Sequence, residues 1–146
     1  MIIDNCWMYQ GECVAEAPPG YYGFIYKVTD DQGKIYIGKK SFEHSKKVRI
    51  SKKIRKLTRT RKRISRTKVD SKWLSYWGSS KQLLEYLDKV PDRRDFCRRE
   101  IIKLCKDKAS LSYWEIVTLI ENRVLFRDDC WNGNIGGHYF KGKIHE

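Results

Sequence analysis

With 146 residues, 40% of them hydrophobic and 13% aromatic, the chain has apolar surface for one modest core and none for a second large domain, which excludes wholesale disorder. No apolar run approaches the ~20 residues that cross a bilayer, and residues 1–6 (MIIDNC) show neither the basic nor the apolar region of a signal peptide, so a cytoplasmic protein without a membrane partner is expected. Lys and Arg number 31 against 18 Asp and Glu, a net charge of +13 that points to nucleic acid without separating DNA from RNA.

Residues 1–20 read as an N-terminal extension ending in the loop Ala17-Pro18-Pro19-Gly20. Tyr21 to Thr29 (YYGFIYKVT) and Lys34 to Gly38 (KIYIG) are aromatic and β-branched runs around the polar turn Asp30-Asp31-Gln32-Gly33, which predicts a β-hairpin. Residues 39–72 then hold sixteen Lys/Arg and only two acidic residues, Glu43 and Asp70. Their apolar positions are too sparse to mark a helix face, and like charges this dense repel, so a basic insertion that is extended or partly disordered is expected. Leu83, Leu84 and Leu87 predict a helix over 80–89, ended by Pro91. Phe96 to Cys105 (FCRREIIKLC) reads as a third strand. A helix is placed over 111–122, where Ser112 and Glu115 have capping-box spacing and Ile116, Leu119 and Ile120 share one side. Residues 132–137 are a loop and 138–146 a polar tail. This order predicts an α/β (α+β) fold over 21–137: a small mixed sheet of roughly three strands, opened by a hairpin, flanked by helices and interrupted by the long basic insertion 39–72.

The five cysteines (Cys6, Cys13, Cys97, Cys105 and Cys130) are odd in number and show no CxxC or other zinc spacing, so five reduced thiols are expected.

Gly23-Phe24-Ile25-Tyr26 followed by Tyr36-Ile37-Gly38, with the tyrosines ten residues apart across a short turn, resembles the paired signature of the GIY-YIG nucleases, the first half being written GFIY here. Lys39 directly follows YIG, where many members place a lysine. Glu115 lies on a helix beyond a third strand, where the family keeps its metal-binding glutamate, and Asn132 follows Trp131 as the family's late asparagine does. The stretches YWGSSKQLL (76–84) and SYWE (112–115) resemble small phage-borne members related to homing endonucleases, for which the compartment is the host-cell cytoplasm. The family's arginine, ten residues after the second tyrosine, is here Lys46, with Arg49, Arg55, Arg59, Arg61, Arg63 and Arg66 as alternates. A lysine supplies the charge without the bidentate fork.

The resemblance implies a DNA endonuclease using Mg²⁺ or Mn²⁺. Glu115 would hold the metal, Tyr26 would assist water as general base, Tyr36 would orient water or phosphate, and Asn132 would hold the glutamate helix or the backbone in place. An ordinary tyrosine titrates near pH 10, so base duty at neutral pH requires Lys39 or the metal to lower it. Each residue has a plainer alternative. The tyrosines would serve as strand packing, Lys39 as one more phosphate contact, Glu115 as a helix cap, and Asn132 as an Asn-Gly turn residue with Asn134 competing for its place. For binding, Lys40, Lys46, Lys47 and the six arginines just named are expected to grip the phosphates of duplex DNA. The rival class is a nucleic-acid-binding protein without catalysis, which needs the cations and not Tyr26, Tyr36 and Glu115 together.

Overall fold

The computed structural model describes residues 5–146. Strands β1 (Trp7–Tyr9) and β2 (Glu12–Val14) form a first small hairpin; β3 (Gly23–Thr29) and β4 (Ile35–Ser41) form the second. The basic insertion follows as β5 (Glu43–Arg49), α1 (Lys52–Thr58) and β6 (Ile64–Asp70). Then come α2 (Lys81–Asp88), β7 (Arg98–Cys105), α3 (Lys108–Glu121) and a final short pair, β8 (Asn134–Ile135) and β9 (Tyr139–Phe140). Among the described residues, no helix is long and apolar enough to cross a membrane.

The main sheet runs β2-β1-β7-β3-β4. It is mixed, because β1 lies parallel to β7 while the other pairs are antiparallel. The three strands expected from the sequence are its β7-β3-β4 half. The sequence places residues 1–20 outside the domain, yet β1 is built in: Trp7 is fully buried, donates from Nε1 to the Trp73 carbonyl at 2.7 Å, and sets its ring edge-on to Phe24 and Tyr26 at 5.0 and 5.3 Å. Strands of three residues leave too short a pattern to be legible. The same hairpin pairs Cys6 with Cys13 as a disulfide, their Cα atoms 5.7 Å apart, in place of two of the five expected thiols; cross-strand proximity, not sequence spacing, decides this. Cys97, Cys105 and Cys130 are free and buried.

Alternation along β3 divides the core. Phe24, Tyr26 and Val28 face an aromatic layer with Trp7, Trp73, Trp77 and the α2 residues Leu83 and Leu87. Ile25 faces the other way, with Ile35 and Ile37, onto Leu111 and Leu119 of α3. Helix α3 starts three residues before its expected position, at Lys108, because Asp107 is the cap and accepts from the Ser110 N–H at 2.7 Å. Ser112 and Glu115 are therefore interior to the helix, and the capping-box reading fails. Leu111 and Leu119 face the sheet, while Ile116 and Ile120 are left exposed.

The basic insertion is an ordered arm. β5 and β6 pair over seven positions, from Glu43 opposite Asp70 to Arg49 opposite Ile64, and α1 closes the tip. The expectation of disorder weighed charge repulsion and missed the ladder, which β-branched Val48, Ile64, Thr67 and Val69 favour. Projection into solvent also keeps the like charges in a high dielectric. The arm is rooted by Phe42, buried in the aromatic layer, and by Ser71, which donates to the Ser41 carbonyl at 2.5 Å. The expected polar tail also folds back, with β9 pairing against β8.

Because Trp7 anchors β1 to the layer that holds Tyr26, Trp7→Ala should lower the unfolding free energy in a urea titration by about 3–5 kcal/mol. The half-exposed Leu74, changed to Ala, should cost under about 1 kcal/mol.

Candidate active site

β4 is the edge strand of the sheet, and the two layers meet over it. There Tyr36 and Ile37 of β4, Ser79 to Gln82 at the start of α2, Glu115 and Leu119 of α3, and the 131–134 segment line a cleft of about 570 Å³.

Antiparallel register sets Tyr26 of β3 directly opposite Gly38 of β4. The phenol of Tyr26 lies across that glycine, where a Cβ would come within 2.6 Å of its hydroxyl. On the other side Gly78, held at φ +114°, brings its backbone down onto the Tyr36 ring, 3.1 Å from where a Cβ would stand. The glycine of the YIG triplet is therefore a packing requirement for the tyrosine of the first strand. Tyr26 is fully buried, its ring 6.1 Å from Tyr36 and edge-on to Tyr76 at 5.8 Å. Tyr36 reaches the cleft and shares a 2.8 Å hydrogen bond with the Ser79 hydroxyl.

Glu115 is the one carboxylate among the described residues lining the cleft. Lys39 donates to the Ser112 hydroxyl at 3.0 Å and stands 3.7 Å from the Glu115 carboxylate, a loose pairing. Burial pushes the Glu115 carboxyl above its ordinary range, and Lys39 pulls part of the way back. Burial likewise raises both phenols, Tyr26 most; Tyr36, Tyr76 and the Glu115 charge add to it at Tyr26, while at Tyr36 the Ser79 hydrogen bond offsets part of the rise. Lys39, expected to lower Tyr26, is turned to Ser112 and Glu115 instead.

Asn132 binds the edge of β4. Its Oδ1 accepts from the Ile37 N–H at 2.9 Å and its Nδ2 donates to the Ile37 carbonyl at 2.8 Å, so the carboxamide continues the ladder as a neighbouring peptide would. The chain before it runs along the same edge, with Trp131 N–H donating to the Ile35 carbonyl and Ile35 N–H to that of Asp129. Trp131 is fastened in turn to Asp30, which also accepts from the Gln32 and Lys34 amides and so ties the hairpin turn to this segment. Asn132 thus holds the strand backbone rather than the glutamate helix. Asn134 lines the cleft but its side chain closes a local turn, accepting from the Gly137 N–H.

Tyr36, Glu115 and Asn132 thus converge on the cleft, with Tyr26 behind and Lys39 beside it. The arm residues do not: none of Lys46, Lys47, Arg49, Arg55, Arg59, Arg61, Arg63 and Arg66 lines it, whereas Lys81 does. Lys40 covers the Tyr76 ring at 4.2 Å. Sequence reasoning missed Ser79, Ser112 and Gly78, whose side chains or backbone matter only through long-range contact. It also missed Arg99, an unremarkable β7 arginine that is buried against Trp7 and Trp77 and donates to the carbonyls of Leu74, Tyr76 and Asn5. Arg99 holds the 74–77 loop that carries Tyr76, Gly78 and Ser79 to the site.

Removing the Asn132 carboxamide strands a buried peptide, so Asn132→Ala should lower stability by about 1–3 kcal/mol in chemical denaturation, against under about 1 kcal/mol for Asn134→Ala.

A family model described as "Putative endonuclease segE, GIY-YIG domain" matches residues 7–140, which takes in β1 and β2 as well as the arm and the β8–β9 pair. No curated protein and no solved structure shows a significant match to the chain. The match spans most of the chain, whose mixed α+β sheet agrees with it, and the chain belongs to the segE-type GIY-YIG endonuclease domain family.

Proposed function

We propose that this protein is a divalent-metal-dependent endonuclease that hydrolyses phosphodiester bonds of duplex DNA in the β4-edge cleft. The observation that carries the reading is the half-buried Glu115 carboxylate, set in an open cleft and paired among the described residues only with Lys39, at 3.7 Å. The donor set fits one hard cation: Glu115 would supply one oxygen ligand, and water and phosphate oxygens would supply the rest to Mg²⁺ or Mn²⁺. Such an ion, when bound, stabilises negative charge on the phosphoryl and leaving oxygens.

The chain's own residues do the positioning. Tyr36, with its hydroxyl steadied by Ser79, orients water or a phosphate oxygen at the cleft. Lys39 offers positive charge beside Glu115 for the phosphate. Tyr26 is held neutral first by its burial, with the Glu115 charge a lesser cause, and supports Tyr36 by packing against it over Gly38. Asn132 keeps Tyr36 and Gly38 in register by gripping the peptide between them. Lys81, at the cleft, takes the charge role of the family's arginine, since Lys46 lies out on the arm.

The alternative, a nucleic-acid-binding protein without catalysis, draws on one observation: no arginine lines the cleft. A supercoiled-plasmid assay separates the two. Nicked or linear product should require Mg²⁺ or Mn²⁺ and vanish in EDTA, and Glu115→Gln should reduce cleavage by about 10²-fold or more while retaining binding. An uncut plasmid that still shifts on a gel would favour the binder, and wild-type cutting by Glu115→Gln would remove the metal assignment.

The pH profile carries a second expectation. Metal binding needs Glu115 ionised, and its carboxyl holds a proton to higher pH than usual. Cleavage at limiting Mg²⁺ should therefore fall as pH drops through a value above the ordinary carboxylate range, and excess metal should shift that midpoint downward.

A further inference from the structure

The two faces of the β5–β6 ribbon are chemically unlike. In an antiparallel pair, opposed residues point to the same side and successive residues alternate. The register sets Lys47 opposite Arg66, Ser45 opposite Lys68 and Arg49 opposite Ile64. One face therefore carries Lys47, Arg49, Arg66 and Lys68. The other pairs His44 with Val69, Lys46 with Thr67 and Val48 with Ser65, so Lys46 is its one lysine. Like charges directly opposed destabilise a ribbon, and neither Lys47 nor Arg66 has an acidic partner among the described residues. The arm's two carboxylates, Glu43 and Asp70, oppose each other at the root of this same face, so its four cations all lie outward of them toward the tip.

The cationic face runs on into the body of the domain. At the root, Lys68 shares a groove of about 580 Å³ with Lys106 and Lys108, in which Glu43 is the one carboxylate. Lys108 opens α3, and Lys108, Ser112 and Glu115 follow at i, i+4 and i+7 on one side of that helix, about 10 Å from end to end. Lys39 bridges the last two.

We infer that this single face, from Arg49 through Lys47, Arg66 and Lys68 to Lys106 and Lys108, is the surface that lies against duplex DNA and leads its backbone to Glu115, while the Lys46 face stays in solvent. The inference rests on the nuclease reading for the identity of the polymer. Shape agrees with it: seven residue pairs span about 24 Å, and a B-form major groove about 12 Å wide admits a two-stranded ribbon. The narrow, deep major groove of A-form RNA does not.

Arg66 and Thr67 are adjacent and point to opposite faces, so Arg66→Gln and Thr67→Glu each remove one unit of charge from the same ribbon. Affinity for a short fluorescent duplex, measured in EDTA across a salt series, should fall about threefold or more for Arg66→Gln and less than about 1.5-fold for Thr67→Glu, with the salt slope reduced by ~0.9 in the first only. Lys47→Gln combined with Arg66→Gln should reduce the slope by ~1.8, and thermal melts should show the arm variants folded. Equal losses from the two single variants would overturn the inference, as would tighter binding of single-stranded RNA than of the duplex. Lys106→Gln with Lys108→Gln should also weaken binding, and wild-type affinity there would overturn the track into the cleft. The two readings can fail separately. Face-selective binding with an uncut plasmid keeps the surface and rejects the nuclease; metal-dependent cutting without face selectivity does the reverse.

Discussion

Two hydrogen bonds between the Asn132 carboxamide and the Ile37 peptide hold the strand edge on which the site is built. Ile37 lies between Tyr36 and Gly38, so its position sets where one tyrosine enters the cleft and where the other finds room for its phenol. An edge strand exposes unpaired amides and carbonyls, and a side chain that mimics a peptide satisfies them without adding a further strand to cover the cleft. The bonds to Asp30 carry the same constraint to the hairpin turn, so the 129–132 segment and the hairpin form one frame.

Around that frame the aromatic layer sets the surroundings of the candidate site as much as the cleft does. Trp7, Trp73, Trp77 and Tyr76 enclose Tyr26 and keep its phenol neutral, while Arg99 bolts the loop bearing Gly78 and Ser79 to the sheet. Desolvation is the first cause of the upward shifts at Tyr26, Tyr36 and Glu115 alike. At both phenols the Glu115 charge is a minor addition to that desolvation.

The arm places thirteen of the protein's 31 Lys and Arg residues away from this enclosure. Its strands and α1 bury no side chain, so it adds little to the core and owes its order to the backbone ladder and to the anchors Phe42 and Ser71. The candidate cleft and the cationic arm are in this way separated in space, joined by β4 on one side and by the Lys108 end of α3 on the other.

Much of this was legible in the residues alone. The hairpin, the third strand, α2 and the body of α3 follow from periodicity and turn chemistry, and the tyrosine pair with Glu115 and Asn132 from the order of short motifs. These signals are local, so a linear reading recovers them. The strands at 7–14, the Cys6–Cys13 pairing and the start of α3 at Asp107 were not, because short strands and single caps leave almost no pattern. Tertiary structure alone decided which groups meet: that Lys39 turns to Ser112 and Glu115 and not to Tyr26, that Arg99 holds a loop, that the arginines of the arm stay out of the cleft. Periodicity tells a side chain which way to face, but packing across the sheet determines what it finds there.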